Sequence, residues 1–282
     1  MKQQSGTFPG ARGASIFYQY WRPVGPVAGL MVLVHGSGEH SARYHDFARF
    51  LTEHGYAVAA VDHYGHGQSE GTPGYVEYFE DYLDTLRLFE LRVSGDFPGV
   101  PKILLGHSLG GLISSLYLLD HQQDFIGCVL SGAAIKTDIE PGRFQKWLIG
   151  FLSNWFPKAG VLQLDAEGVS RDPRVVQDYK NDPLVHHGKL SARKVYELFS
   201  AMQTVRDGAP RITLPLLILH GGADTMTSPE GSRFLHEHVS STDNTLKIYP
   251  ELFHEILNEP ERDKVWQDVL AWCDRLLQRN RD

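Results

Sequence analysis

The chain has 282 residues, 42% of them hydrophobic, and a formal net charge of −7 at pH 7 with a pI near 6.0. That length holds one large α/β domain, or one domain carrying an insertion, and the apolar content suffices for its core. An acidic balance with no basic cluster leaves nothing to displace counterions from a phosphate backbone, so no nucleic-acid partner is expected.

In chain order, Met1 to Gly10 carries one lysine and no apolar h-region, and the longest apolar stretch, Val27 to Val34, is too short to cross a bilayer. The expected location is therefore cytoplasmic. Ser15–Trp21 alternates and predicts an antiparallel edge strand, because the short link to Leu30 cannot hold a crossover helix. Apolar runs of strand length follow at Leu30–Val34, Ala57–Val61, Ile103–Leu105, Ile126–Leu130, Pro215–Leu219 and Leu246–Ile248. Helical periodicity fills Tyr44–His54, Tyr78–Val93, Leu109–His121, Pro229–Val239 and Arg262–Gln278. Strand and helix in alternation predict an α/β fold, a mostly parallel sheet with helices on both faces. Cys128 and Cys273 give neither a disulfide framework nor metal-ligand spacing, and the fourteen histidines form no tight ligand motif, so no metal is expected.

The alternation breaks between Ala134 and about Val205, where prolines separate helical segments and no convincing strand occurs. This predicts a helical cap over 135–205, inserted between core segments 1–134 and 206–282. Its segment Phe144–Phe156 carries Trp147, Leu148, Ile149, Phe151, Leu152, Trp155 and Phe156, more apolar surface than one helix face needs. Two readings stand: a surface for transient contact with a lipid or membrane, or the cap's own small core.

The chemistry centres on Gly106-His107-Ser108-Leu109-Gly110, a G-x-S-x-G that follows an apolar run and opens a helix. A strand ending in so tight a turn exposes the Ser108 hydroxyl at the positive end of the helix. A serine needs an imidazole to take its proton and a carboxylate to orient that imidazole. In a parallel sheet both belong on loops after strand C-termini, which points to Asp224 and His254. Asp243 and Asp207 are rival acids but follow no strand; His35, His63, His66 and His107 are rival bases, His107 being directed away from the hydroxyl by the turn itself. The glycine-flanked turn His35-Gly36-Ser37-Gly38 offers the Ser37 N–H, which together with the Leu109 N–H would hold an oxyanion.

With these residues the sequence resembles, nearly end to end, the monoacylglycerol lipase family of α/β-hydrolases, also described as lysophospholipases or serine aminopeptidase-like hydrolases. The resemblance rests on the G-x-S-x-G, on His35-Gly36-Ser37-Gly38-Glu39-His40-Ser41 with Arg43-Tyr44, and on the run Asp62-His63-Tyr64-Gly65-His66-Gly67-Gln68-Ser69-Glu70-Gly71. Tyr179-Lys180-Asn181-Asp182-Pro183-Leu184, Leu246-Lys247-Ile248-Tyr249 and His254-Glu255 complete it. It implies an α/β-hydrolase fold, cofactor-free hydrolysis of a monoacylglycerol to fatty acid and glycerol through an acyl-enzyme, and a mobile cap forming an acyl tunnel. Glu39, Arg43 and Tyr179 stand where the family meets the glycerol head; Glu39 and Arg43 also suit a plain helix-start ion pair, and Tyr179 plain packing. Leu257 stands where animal members often carry a second histidine. A lysophospholipase or general carboxylesterase is the nearest alternative, and a non-catalytic binding protein on the same scaffold is one of a different class.

Overall fold

A computed structural model describes residues 1–137 and 142–280. The chain opens with the antiparallel hairpin β1 (Lys2–Pro9) and β2 (Ser15–Arg22), then runs through β3 (Gly29–Val34), α1 (His45–Glu53), β4 (Tyr56–Val61), α2 (Glu80–Asp96), β5 (Lys102–His107), α3 (Leu109–His121) and β6 (Gly127–Ser131). There follow α4 (Arg143–Trp155), β7 (Gly160–Leu162), α5 (Pro173–Asn181), β8 (Leu190–Ser191) and α6 (Ala192–Gly208). The chain closes with β9 (Leu216–Gly221), α7 (Pro229–His238), β10 (Asn244–Tyr249) and α8 (Arg262–Arg279). Eight strands form one sheet in the order β1-β2-β4-β3-β5-β6-β9-β10, parallel from β4 onward, in agreement with the α/β arrangement expected from the sequence.

Every residue of β3 and β4 is buried, as continuous apolar runs require when helices cover both faces. The two-residue period divides them: Leu30, Val32 and Val34 face a core shared with α2 and α3, while Met31 and Leu33 face one shared with α1 and α8. The crossovers carry each chain back to the same end of the sheet, so the loops after β3, β5, β9 and β10 gather at one edge.

Two sequence expectations are corrected. Ser15–Trp21 is antiparallel but is not the edge, because β1 pairs along its outer side from Lys2 opposite Arg22 to Pro9 opposite Ser15. β1 is mostly exposed and polar, so backbone pairing rather than a hydrophobic stripe holds it, and no periodicity announces it. Between Ala134 and Val205, β7 and β8 form a short antiparallel ribbon, with strands too brief to show as a pattern. Residues 138–141 of the expected cap span, and 281–282 of the expected second core segment, lie outside the described residues. Among the described residues no helix is long and apolar enough to cross a membrane.

Candidate active site

Ser108 joins β5 to α3 with φ 53° and ψ −117°, a positive φ that a non-glycine residue adopts only when its surroundings enforce it. Its N–H donates to the Ser131 carbonyl at 3.0 Å, and its own carbonyl accepts from Leu112 and Ala134, both at 3.1 Å. Gly110 lies so close to β3 that a Cβ there would fall 1.9 Å from the Val34 carbonyl oxygen. The pentapeptide thus needs its final glycine for the helix to start against the neighbouring strand.

Asp224 lies three residues beyond β9 and His254 five beyond β10, both buried. His254 Nδ1 is 2.7 Å from Asp224 Oδ2, which assigns the proton on Nδ1 and leaves Nε2 as the basic nitrogen. Asp224 Oδ1 accepts from the N–H groups of Met226 (2.7 Å) and Thr227 (3.0 Å), and Oδ2 also receives the Thr227 hydroxyl at 2.9 Å and His220 Nε2 at 3.1 Å. Burial by itself would raise the Asp224 pKa, but the neighbouring His254 and the hydrogen bonds from His220, His254 and Thr227 outweigh it and hold the carboxyl ionised. At His254 burial opposes protonation, yet the Asp224 charge and hydrogen bond, reinforced by Glu255 and Glu39, shift its pKa net upward from 6.5.

The turn after β3 brings Ser37 to the same place: a Cβ on Gly36 would sit 3.1 Å from Ser108 Cβ. Among the described residues neither the Ser37 N–H nor the Leu109 N–H has an intramolecular acceptor. Glu39 Oε1 accepts from the Gly36 N–H (2.6 Å) and the Tyr44 hydroxyl (2.7 Å), while Oε2 pairs with Arg43 Nε at 3.4 Å. Arg43 also reaches Glu255 at 2.6 Å and lies 4.8 Å beneath the Tyr179 ring.

Ser37, Glu39, Ser108, Leu109, Tyr179 and His254 line one cavity; Asp224 stands behind His254, and Arg43 is not among the lining residues. The far wall is apolar. Val195, Leu198, Phe199 and Met202 of α6, spaced i, i+3, i+4 and i+7, supply one helix face of it, with Leu164 and Leu190 alongside. Nearby, α4 turns its aromatic residues outward: Phe144 is 71% exposed, Trp147 61% and Trp155 72%, their rings succeeding one another with Phe151 at centroid spacings of 5.8, 5.7 and 6.4 Å. Of the two readings of this segment, a buried core does not fit these residues.

The rival groups are otherwise engaged. His107 Nδ1 contacts the Ser131 carbonyl at 3.0 Å, and burial pushes the ring's pKa down to about 3. His35 and His63 bond to one another's backbone, and His66 faces Lys194, with burial lowering all three pKa values. Asp243 pairs with Arg275 and Arg279, and Asp207 accepts from Gln203. Sequence reasoning missed His220, Thr227 and Glu255. The Asp224-x-x-Thr227 spacing, which lets a carboxylate accept from the backbone two and three residues on, was the available signal for Thr227; the other two depend on long-range folding.

The sequence profile of the family described as serine aminopeptidase, S33, matches residues 25–261. The chain is 38% identical to a monoacylglycerol lipase of Mycolicibacterium smegmatis, covering 94% of this chain and 95% of that protein. It is 35% identical to the monoglyceride lipase of Rattus norvegicus, covering 95% and 89%. In structure it is similar to a monoacylglycerol lipase of Paleococcus ferrophilus, with a TM-score of 0.81, 30% identity and 99% of both chains covered.

Proposed function

The chain belongs to this serine hydrolase family, and from that premise we propose that it cleaves monoacylglycerol to free fatty acid and glycerol through an acyl-enzyme on Ser108. The observation that carries the reading is a mainly apolar cavity whose lining includes both Ser108 and His254. Ser108 Oγ attacks the ester carbonyl carbon as His254 Nε2 takes its proton. The oxyanion is held by the N–H groups of Ser37 and Leu109, each such donor worth about 10²–10³ in rate. Collapse expels the glycerol oxygen, which takes the proton from His254. Water, deprotonated by the same imidazole, then frees the fatty acid and restores the serine. Asp224 keeps His254 in the tautomer that every step uses.

An aminopeptidase needs an unpaired carboxylate to anchor a free α-amine; Glu39 and Glu255 on the cavity wall are both paired with Arg43, which supports the ester reading. Tyr179 and Glu39, with Arg43 behind them, are assigned to the glycerol end. Residues 135–205 are assigned as a cap over a core of 1–134 and 206–282. The exposed α4 aromatics, beside a cavity whose lining includes the 42% exposed Leu162, support transient contact with membranes through that cap. Turnover of C8 to C18 monoacylglycerols against matched lysophospholipids and short esters tests the substrate. Preference for the glycerol monoesters, lost in Ser108→Ala, is expected; faster turnover of lysophospholipids or short esters would replace the substrate, and undiminished turnover in Ser108→Ala would refute the nucleophile.

A further inference from the structure

We propose that Glu259 is a positioning residue: held by Arg171, it locks the loop that carries His254 onto residues 169–171. The inference rests on the acyl-transfer reading and adds a determinant of its proton transfers. Residues 250–261 link β10 to α8 with neither helix nor strand among them, and His254 stands midway. Such a loop has no ladder of its own, so its backbone groups must find partners elsewhere. Before the base, the Phe253 N–H donates to Glu259 Oε1 at 3.2 Å. After it, the Glu255 N–H donates to the Val169 carbonyl at 2.8 Å. Oε1 of Glu259 also accepts from the Arg171 N–H and Oε2 from Arg171 Nε, both at 2.9 Å. The rest of the guanidinium reaches Glu261 and, at 3.8 Å, the exposed Glu251.

Glu259 is fully buried, and a carboxylate there is tolerated only because each oxygen is engaged, one by two backbone N–H groups and the other by the guanidinium. Arg171 is the flexible member of the pair, 27% exposed and able to follow a displaced carboxylate. The Phe253 N–H can follow only by dragging the adjoining His254 with it. The bond from His254 Nδ1 to Asp224 fixes one atom of the imidazole and leaves the ring free to pivot about it. The backbone at 253–255 decides where Nε2 then points, and both of its flanks end, directly or through Glu259, on residues 169–171, within the span assigned to the cap. Val169 and His254 line the same cavity, so the wall that encloses the substrate also aims the base.

Two substitutions separate position from charge. Glu259→Gln leaves the amide oxygen under both backbone N–H groups and gives up the ion pair. Glu259→Asp keeps the ion pair and draws the acceptor back by one methylene. For each, kcat/KM is measured on a monoacylglycerol and on the p-nitrophenyl ester of the same acyl chain, with the affinity of an unreactive alkylglycerol ether and thermal unfolding. The p-nitrophenolate leaves without the proton that His254 gives to glycerol, so a misaimed imidazole should harm the glycerol ester more. Glu259→Asp should lower kcat/KM by about 10²-fold on the monoacylglycerol and about tenfold on the p-nitrophenyl ester, with ether affinity within about twofold. Glu259→Gln should stay within about fivefold of the parent on both esters. A loss in Glu259→Gln equal to or larger than that in Glu259→Asp, equal losses on the two esters, or losses that follow unfolding temperature would overturn the role of Glu259. A parent enzyme that a fluorophosphonate fails to label at Ser108 would instead overturn the acyl-transfer reading.

Discussion

Replacing Asp224 by asparagine changes one atom and should remove nearly all turnover. The Oδ1 position accepts two backbone N–H groups, from Met226 and Thr227, so the amide oxygen must occupy it. The NH₂ is then forced to the Oδ2 position, facing His254 Nδ1 at 2.7 Å and His220 Nε2 at 3.1 Å. Two N–H donors cannot face each other, so His254 moves its proton to Nε2, the nitrogen that must accept from Ser108. A wrong tautomer of this kind lowers kcat by about 10⁴, or about 5 kcal/mol at 1.36 kcal/mol per tenfold. A second readout separates this from misfolding. The Asp224 charge is what offsets burial and holds the His254 pKa above 6.5, so without it the acid limb of the residual activity should move to lower pH. Stopped-flow turnover from pH 5 to 9 on the folded variant measures both. A variant that keeps a tenth of parental kcat, or whose acid limb stays in place, refutes the reasoning.

In the parent enzyme kcat/KM should fall with acid through a midpoint above 6.5, because His254 must be neutral to accept the proton; a midpoint below 6 in a pH–rate profile contradicts this. Ser108→Gly should unfold about 1 kcal/mol less readily than Ser108→Ala, since only glycine relieves the positive φ; equal stability in chemical denaturation would remove the strain. Lys194 is 1% exposed, and burial pushes its pKa from 10.5 down to about 7. The unfolded chain therefore binds the extra proton between those values, and folding loses stability as pH falls through them. Lys194→Met should remove that penalty of about 5 kcal/mol, less about 1–3 for the His66 nitrogen it abandons at 3.3 Å, so that it stabilises by about 2–4 kcal/mol at pH 6 and not at pH 11. Destabilisation at pH 6 refutes this. Trp147→Ser with Trp155→Ser should slow hydrolysis of monoacylglycerol presented in phospholipid vesicles while sparing a dissolved short ester; equal effects on both would remove the membrane role of α4.

The local parts of this account were legible in the sequence. A strand, a tight turn and a helix around Ser108 occupy consecutive residues, and Asp224 and His254 each follow an apolar run. What the sequence hid depends on distance or on the backbone. Arg43 and Glu255 are 212 residues apart and meet only once β3 and β10 deliver their loops to one edge. His220 reads as the end of a strand until Asp224 folds back onto it. β1 has no apolar period because both of its faces are exposed along most of its length. The α4 stripe has the same spacing whether buried or exposed, so only its neighbours decide.

The central claim is that a covalent acyl group passes through Ser108, and acid quenching during turnover tests it most directly. Mixed with a p-nitrophenyl acyl ester, whose good leaving group lets acylation outrun the attack of water, the enzyme should show an intact mass raised by one acyl group, mapped by peptide fragmentation to Ser108 and absent from Ser108→Ala. Turnover with no adduct at any quench time, or an adduct on another residue, would contradict it.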